Sequence, residues 1–258
     1  MKVMSIEELH QKLDNHEIDV KEYYQELFEE VDFQQKRLNA FVTVTKDEAL
    51  KNIENLDVKE NEILKGIPGV FKDNYNTKGI KTTASSKMLE EYVPVYNATV
   101  VDKLYEAGIS LIGKSSMDEL AMGGTNKSAL TGPVFNPWDS SRIAGGSSGG
   151  SAALVGSGVV PFALGSDTGD SIRKPAGFCG VVGFKPTWGR ISRFGVIPYA
   201  SSLDHVGAFT RNVRDMAIVT EALAGRDDRD MTSSNLPVPH YLENLTSDIK
   251  GMKIAVLT

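Results

Sequence analysis

Gly145-Gly146-Ser147-Ser148-Gly149-Gly150-Ser151, followed after a short apolar stretch by Gly165-Ser166-Asp167-Thr168-Gly169-Asp170-Ser171-Ile172-Arg173, decides how this chain is read. Small residues let the backbone come close to a substrate, and Ser147 and Ser171 supply hydroxyls. Successive backbone N–H groups in such loops can aim at a developing oxyanion. The pattern is that of a serine hydrolase site lacking its usual base. The four histidines are His10, His16, His205 and His240, and only His205 lies among Gly and Ser residues. The proton needs another acceptor.

Lys72 is the candidate. It follows the apolar run Ile67-Pro68-Gly69-Val70-Phe71 and precedes Asp73-Asn74, which reads as a buried strand delivering an ammonium to a turn. Burial lowers a lysine pKa because the charged form loses its hydration, so a desolvated lysine can act as a base near neutral pH. A solvated lysine at a strand end fits the same letters, and the pattern alone leaves both readings open.

Working outward, Ser5…Glu8 and Thr45…Glu48 are capping-box patterns and Asp19…Glu22 a looser one, each opening a helix. Ile6, Leu9 and Leu13 form one apolar stripe, and Val20, Tyr24, Leu27, Phe28 and Val31 form another at helical spacing. The charged run from Leu56 to Leu64 reads as a loop. Beyond it, the letters predict a helix over Thr99–Ala107 stopped by Gly108, a strand over Ile109–Ile112 and a helix from Ser116 with Glu119 closing its box. They also predict a strand over Val159–Leu164 and a helix over Thr210–Ala224 stopped by Gly225. Residues 145–151 stand immediately before a helix start at Ala152-Ala153-Leu154-Val155, where N–H groups and the macrodipole favour negative charge. Such alternation predicts an α/β sheet flanked by helices on both faces, with an N-terminal helical segment over 1–60 and a core over 61–258.

Several motifs point elsewhere and do not fit their surroundings. Gly108-Ile109-Ser110-Leu111-Ile112-Gly113-Lys114-Ser115 matches a phosphate loop letter for letter, but its middle is an apolar strand and a helix precedes it. Gly145-Gly146-Ser147-Ser148-Gly149 matches a nucleophile elbow without the strand that should lead into it. No Cys/His cluster has metal-ligand spacing, so no metal is expected, and Asp227-Asp228…Asp230 reads as a solvated loop. Asp204-His205 is a weak alternative base pair for Ser171. Cys179, in an apolar run with no base nearby, reads as packing.

Composition narrows the partners. A chain of 258 residues with 41% hydrophobic and 24% charged residues can bury a sizeable core. A net charge of -6 argues against a free-standing nucleic-acid binder. One cysteine excludes an internal disulfide, and the N-terminus shows no apolar run of signal-peptide length, which together lead to the expectation of a cytoplasmic protein.

The ordered set of Gly66-Ile67-Pro68…Lys72-Asp73-Asn74, Arg142…Ser151, Gly165…Arg173 and Phe178-Cys179-Gly180-Val181-Val182-Gly183-Phe184-Lys185-Pro186-Thr187 resembles the amidase signature family. Pro94…Val101, Gly113-Lys114-Ser115-Ser116-Met117-Asp118-Glu119, Asn136-Pro137-Trp138-Asp139 and Tyr199…Asp204 bring the resemblance nearest to the A subunits of aspartyl/glutamyl-tRNA amidotransferases. The resemblance implies a Ser-Ser-Lys triad with Ser171 as nucleophile, Ser147 as bridging serine and Lys72 as final base. It places the oxyanion hole on the backbone N–H groups of Thr168, Gly169, Asp170 and Ser171, and gives Ser148 and Asp167 supporting roles. It further implies glutamine as ammonia donor, partner subunits B and C, misacylated Glu-tRNA or Asp-tRNA reached through the complex, and ATP and magnesium used at one of the partners rather than bound here. A stand-alone amidase would carry the same triad.

Two departures matter. The family usually has Gly-Gly-Ser-Ile-Arg, and here Asp170 stands in the second glycine's place. A carboxylate ~4 Å from an oxyanion at an effective dielectric of ~20 would cost ~4 kcal/mol, or roughly three decades of rate. Lys174, four residues on, could neutralise it in a helical turn. The family's relatives also continue well beyond Thr258. Lys253…Thr258 resembles a strand just beginning, so the sheet is expected to be incomplete, with the residues for the glutamine α-groups lying outside the chain. A truncated, catalytically impaired chain is the third reading.

Overall fold

The computed structural model describes residues 3–54, 56–246 and 248–253. Helices α1 (Ile6–Asp14) and α2 (Val20–Leu38) open the chain. Ser5 and Asp19 cap them as expected, the Ser5 hydroxyl accepting the Glu8 N–H at 3.1 Å and the Asp19 carboxylate accepting from Lys21 and Glu22. Their apolar stripes face inward, with Ile6, Leu9, Tyr24, Leu27, Phe28 and Val31 buried. Strand β1 (Phe41–Val44) and helix α3 (Lys46–Asn52) follow. Residues 1–60 thus also supply a strand to the sheet. Thr45 does not cap α3, because its hydroxyl donates to the Leu111 carbonyl at 2.7 Å instead.

Strands β2 (Pro68–Lys72), β3 (Ser110–Ser115), β4 (Phe162–Asp167), β5 (Val182–Phe184) and β6 (His205–Thr210) join β1 in one six-stranded sheet of order β1-β3-β2-β4-β6-β5. The β2 strand runs parallel to both β3 and β4, whereas the β1, β6 and β5 pairings are antiparallel. The sheet is open and mixed, flanked by helices. Helices α4 (Thr99–Glu106), α5 (Gly149–Gly156), α6 (Arg173–Cys179) and α7 (Val213–Leu223) complete the layers, α5 packing on β4 and α7 on β6. Among the described residues no helix is long and apolar enough to cross a membrane.

The structure departs from the sequence expectation at several points: β3 runs from Ser110 to Ser115 rather than over Ile109–Ile112, α5 starts at Gly149, and others have a local reason. Strand β4 starts after Pro161, which has no N–H to give a ladder, and runs on through Gly165-Ser166-Asp167 because β6 pairs with those residues. Strand β6 takes Thr210, so α7 begins at Val213 behind the Asn212 cap, which accepts the Asp215 N–H at 2.8 Å. No helix opens at Ser116. Only a 3-10 turn, Glu119–Ala121, forms there, because the Asp118 carboxylate is committed to Thr125, Asn126 and Ser128. Asp227 and Asp230 are not solvated. Asp227 is buried against the hydroxyls of Thr99 and Ser192 and the Arg229 side chain, while Asp230 accepts the Arg193 N–H. The expected strand at Val256-Leu257 lies outside the described residues.

Candidate active site

Every residue of β2 is buried, and the strand lies between β3 and β4. A side chain at its carboxyl end therefore meets protein rather than water, and Lys72 is 0% exposed. The surface-lysine reading falls. Lys72 Nζ donates to Ser147 Oγ at 2.7 Å and to Ser166 Oγ at 2.9 Å. Burial pulls its pKa down to about 7, although the Asp118, Asp167 and Asp204 carboxylates pull it partly back up. Burial thus shifts the balance toward the neutral amine.

Ser147 is fully buried at the foot of α5, after a cis Gly146–Ser147 peptide. Its carbonyl accepts the Asp118 N–H at 3.1 Å. The glycine before it is required sterically, because a Cβ on Gly146 would stand 2.0 Å from Asp118 Oδ2. Asn126 Oδ1 accepts the first N–H groups of α5, from Gly149 at 2.8 Å and Gly150 at 3.3 Å. The positive helix end is thus used to hold the Gly/Ser loop, not an anion.

The second Gly/Ser run is tied to the first through Ser148. Its hydroxyl donates to the Ser166 carbonyl at 3.1 Å and accepts the Ser166 N–H at 3.3 Å, while its own N–H donates to the Ser171 carbonyl at 3.3 Å. Asp167 Oδ2 accepts the Ile172 N–H at 2.9 Å and the Arg173 Nε at 3.3 Å, and Oδ1 accepts Arg173 Nη2 at 3.0 Å. Burial raises the Asp167 pKa, but the Arg173 and Ile172 hydrogen bonds outweigh it and hold the carboxyl below its ordinary value. Ser171 sits in the turn so formed and is 6% exposed. Among the described residues no backbone acceptor takes the N–H groups of Gly169, Asp170 or Ser171.

Asp170 has no left-handed φ, so it carries no strain in the glycine's place. Its carboxylate is half-exposed and meets Lys174 Nζ at 2.6 Å across one helical turn. The neutralising partner is where the spacing put it.

Asp204 and His205 do not form a base pair. Asp204 is taken by the Thr168 hydroxyl and the N–H groups of Tyr199 and Ala200, and His205 Nδ1 faces the Leu203 carbonyl at 2.7 Å. Cys179 is fully buried, and burial pushes its thiol up to about 12. The segment that mimics a phosphate loop is mostly strand β3, with no loop to cradle an anion. Among the described residues no group of three or more His, Cys, Asp and Glu is placed to hold a metal.

Sequence reading missed part of this surround. Ser166, Asn74, Asp118, Asn126 and Asp204 all hold site residues or site loops. Ser166, Asn74, Asp118 and Asp204 stand within the quoted motifs without this holding role having been read for them, but Asn126 has no local signal, because its role depends on a fold that brings residue 126 to the start of α5. Missed as well was Lys114, fully buried 3.6 Å from Asp73 and donating to the Tyr75 carbonyl and Thr82 hydroxyl at 2.8 Å each. This pair braces the turn that follows Lys72. A cavity of about 330 Å³ opens beside Ser166 and Thr168, lined by Arg193, Arg229, Asp204 and Asp230 among others.

Residues 19–258 match the Amidase family model. The A subunit of glutamyl-tRNA(Gln) amidotransferase from Geobacillus kaustophilus is 49% identical over 257 residues, covering 98% of this chain and 53% of the relative. A crystal structure of the corresponding A subunit of glutamyl-tRNA(Gln) amidotransferase from Thermotoga maritima superposes with a TM-score of 0.81 at 44% identity, over 91% of this chain and 49% of that one. The native peptide amidase from Stenotrophomonas maltophilia superposes with a TM-score of 0.86 at 33% identity, over 93% of this chain and 52% of that one. The chain spans about half the length of these relatives.

Proposed function

Because the chain belongs to the amidase family, we propose that it hydrolyses a carboxamide through an acyl-enzyme on Ser171, as the glutaminase part of a tRNA-dependent amidotransferase. The observation that carries this reading is the 2.7 Å contact between a fully buried Lys72 Nζ and Ser147 Oγ. Neutral Lys72 takes the Ser147 hydroxyl proton as Ser147 takes that of Ser171, and Ser171 Oγ attacks the amide carbonyl carbon. The oxyanion that forms is received by N–H groups of the Thr168–Ser171 turn, where loss of one donor typically costs about 10²–10³ in rate. Returning along Lys72 and Ser147, the proton reaches the leaving nitrogen, ammonia departs, and water then releases the acid.

Glutamine is the proposed donor. The likeness to the A subunit of glutamyl-tRNA(Gln) amidotransferase, 49% identical over 98% of this chain, supports that choice. Ammonia would pass to partner subunits B and C, which would use ATP and magnesium to amidate Glu-tRNA(Gln) or Asp-tRNA(Asn) in the cytoplasm. The test is ammonia release from glutamine by the chain, alone and with subunits B and C, beside Ser171→Ala. Release abolished by Ser171→Ala is the expected result. Release unaffected by it overturns the triad assignment, and turnover of other amides in preference to glutamine would favour a stand-alone amidase.

A further inference from the structure

Lys72 Nζ has a second hydroxyl partner that the triad leaves unused. Ser166 Oγ lies 2.9 Å from it, and the same oxygen accepts Asn74 Nδ2 at 3.1 Å. Ser166 is 5% exposed and Asn74 2% exposed, and both line the cavity beside Thr168. The Ser166 backbone is clamped on both sides by the Ser148 hydroxyl and paired with Val206 in the sheet, which sets the position of its side chain.

The chemistry of a neutral amine gives this arrangement a consequence. It has two N–H bonds and one lone pair, and rotation about Cε–Nζ can point the lone pair in three directions. Only one of them faces Ser147. A fixed acceptor for an N–H removes the unproductive rotamers, and a buried hydroxyl oxygen held by an amide donor is such an acceptor. We propose that Ser166, held by Asn74, is a positioning residue that takes one Lys72 N–H and thereby turns the lone pair onto Ser147. The proposal rests on the reading of Lys72 as the base.

The test pairs a measurement on the resting protein with one on turnover. An acceptor for Lys72 N–H favours the ammonium over the amine, so Ser166→Ala should move the Lys72 titration down by about half to one unit. This is read from the ¹³Cε signal of labelled lysine, assigned with Lys72→Arg. At the same time kcat should fall about 10–100-fold with KM unchanged, even though more of the base is unprotonated. Ser166→Thr, which keeps the hydroxyl, should restore both. General loosening of the site would admit water and move the titration up instead. An unmoved or raised titration, or an unchanged kcat, overturns the proposal. If Ser166→Ala does not fold, Ser166→Cys, a much weaker acceptor of similar size, replaces it with the same directions expected. A wild-type chain that releases no ammonia from glutamine would sink the glutaminase reading, while the titration, which needs no turnover, would still decide whether Ser166 holds the amine.

Discussion

Lys72 Nζ lies 2.7 Å from Ser147 Oγ with neither side chain exposed to water. That contact joins the end of a central strand to the foot of a helix 75 residues later. The proposed proton transfer between the two residues rests on it.

The rate of amide hydrolysis should rise with pH through about 7, because burial holds the Lys72 pKa there and only the neutral amine accepts a proton. Lys72→Arg, which keeps the charge at all accessible pH, should lower kcat by about 10²–10⁴ without a neutral-pH inflection. Ammonia release measured from about pH 5.5 to 9 checks both. A wild-type profile flat across neutrality would remove Lys72 from the mechanism.

The same buried lysine should make folding stability depend on pH. Its folded pKa of about 7 lies below the ordinary 10.5, so between those values the unfolded chain binds a proton that the folded chain lacks. Stability therefore rises with pH across that window, and the cost of burying the ammonium is fully present below about pH 7. Lys72→Met should raise the melting temperature most at about pH 6 and progressively less toward about pH 10, at about 2–4 °C per kcal/mol. Calorimetry at the two extremes checks the sign.

Asp170 should be nearly silent in catalysis as long as Lys174 is present. With its carboxylate half-exposed and 2.6 Å from Lys174 Nζ, Asp170→Gly is expected to change kcat by less than about threefold. Lys174→Gln leaves the charge unpaired near the nucleophile and should cost about tenfold. Steady-state kinetics of both variants decide whether the carboxylate impairs the site. A large gain for Asp170→Gly would show that it does.

The Lys114–Asp73 pair should behave as a buried ion pair beside the strand end that carries Lys72. Lys114→Met alone leaves Asp73 buried without its partner and should cost about 3–5 kcal/mol of stability. Lys114→Met combined with Asp73→Asn should recover part of that loss. Urea denaturation of the single and double variants checks the coupling.

Much of the site was legible in the letters because its parts are local. Ser147 and Ser171 each sit in a Gly-rich run whose small residues announce close backbone approach, Ser5 and Asp19 cap their helices through neighbouring N–H groups, and Lys174 reaches Asp170 across a single turn. The α/β alternation follows from apolar periodicity, which survives without knowledge of partners. Strand ends were less legible. Ser166 and Asp167 look like loop residues until β6 pairs with them, and Asp227 looks solvated until Thr99 and Ser192 are folded against it.

The order of residues was enough to settle which chemical groups were available and which short segments would become strand, helix or tight turn, since those choices depend on neighbours a few positions away. It took the folded chain to make Lys72 dry. Burial depends on β3 and β4 closing around β2, and on Ser147 and Ser166 arriving from distant positions to meet the amine. Desolvation is a property of everything that surrounds a group, and no local pattern in a chain records it.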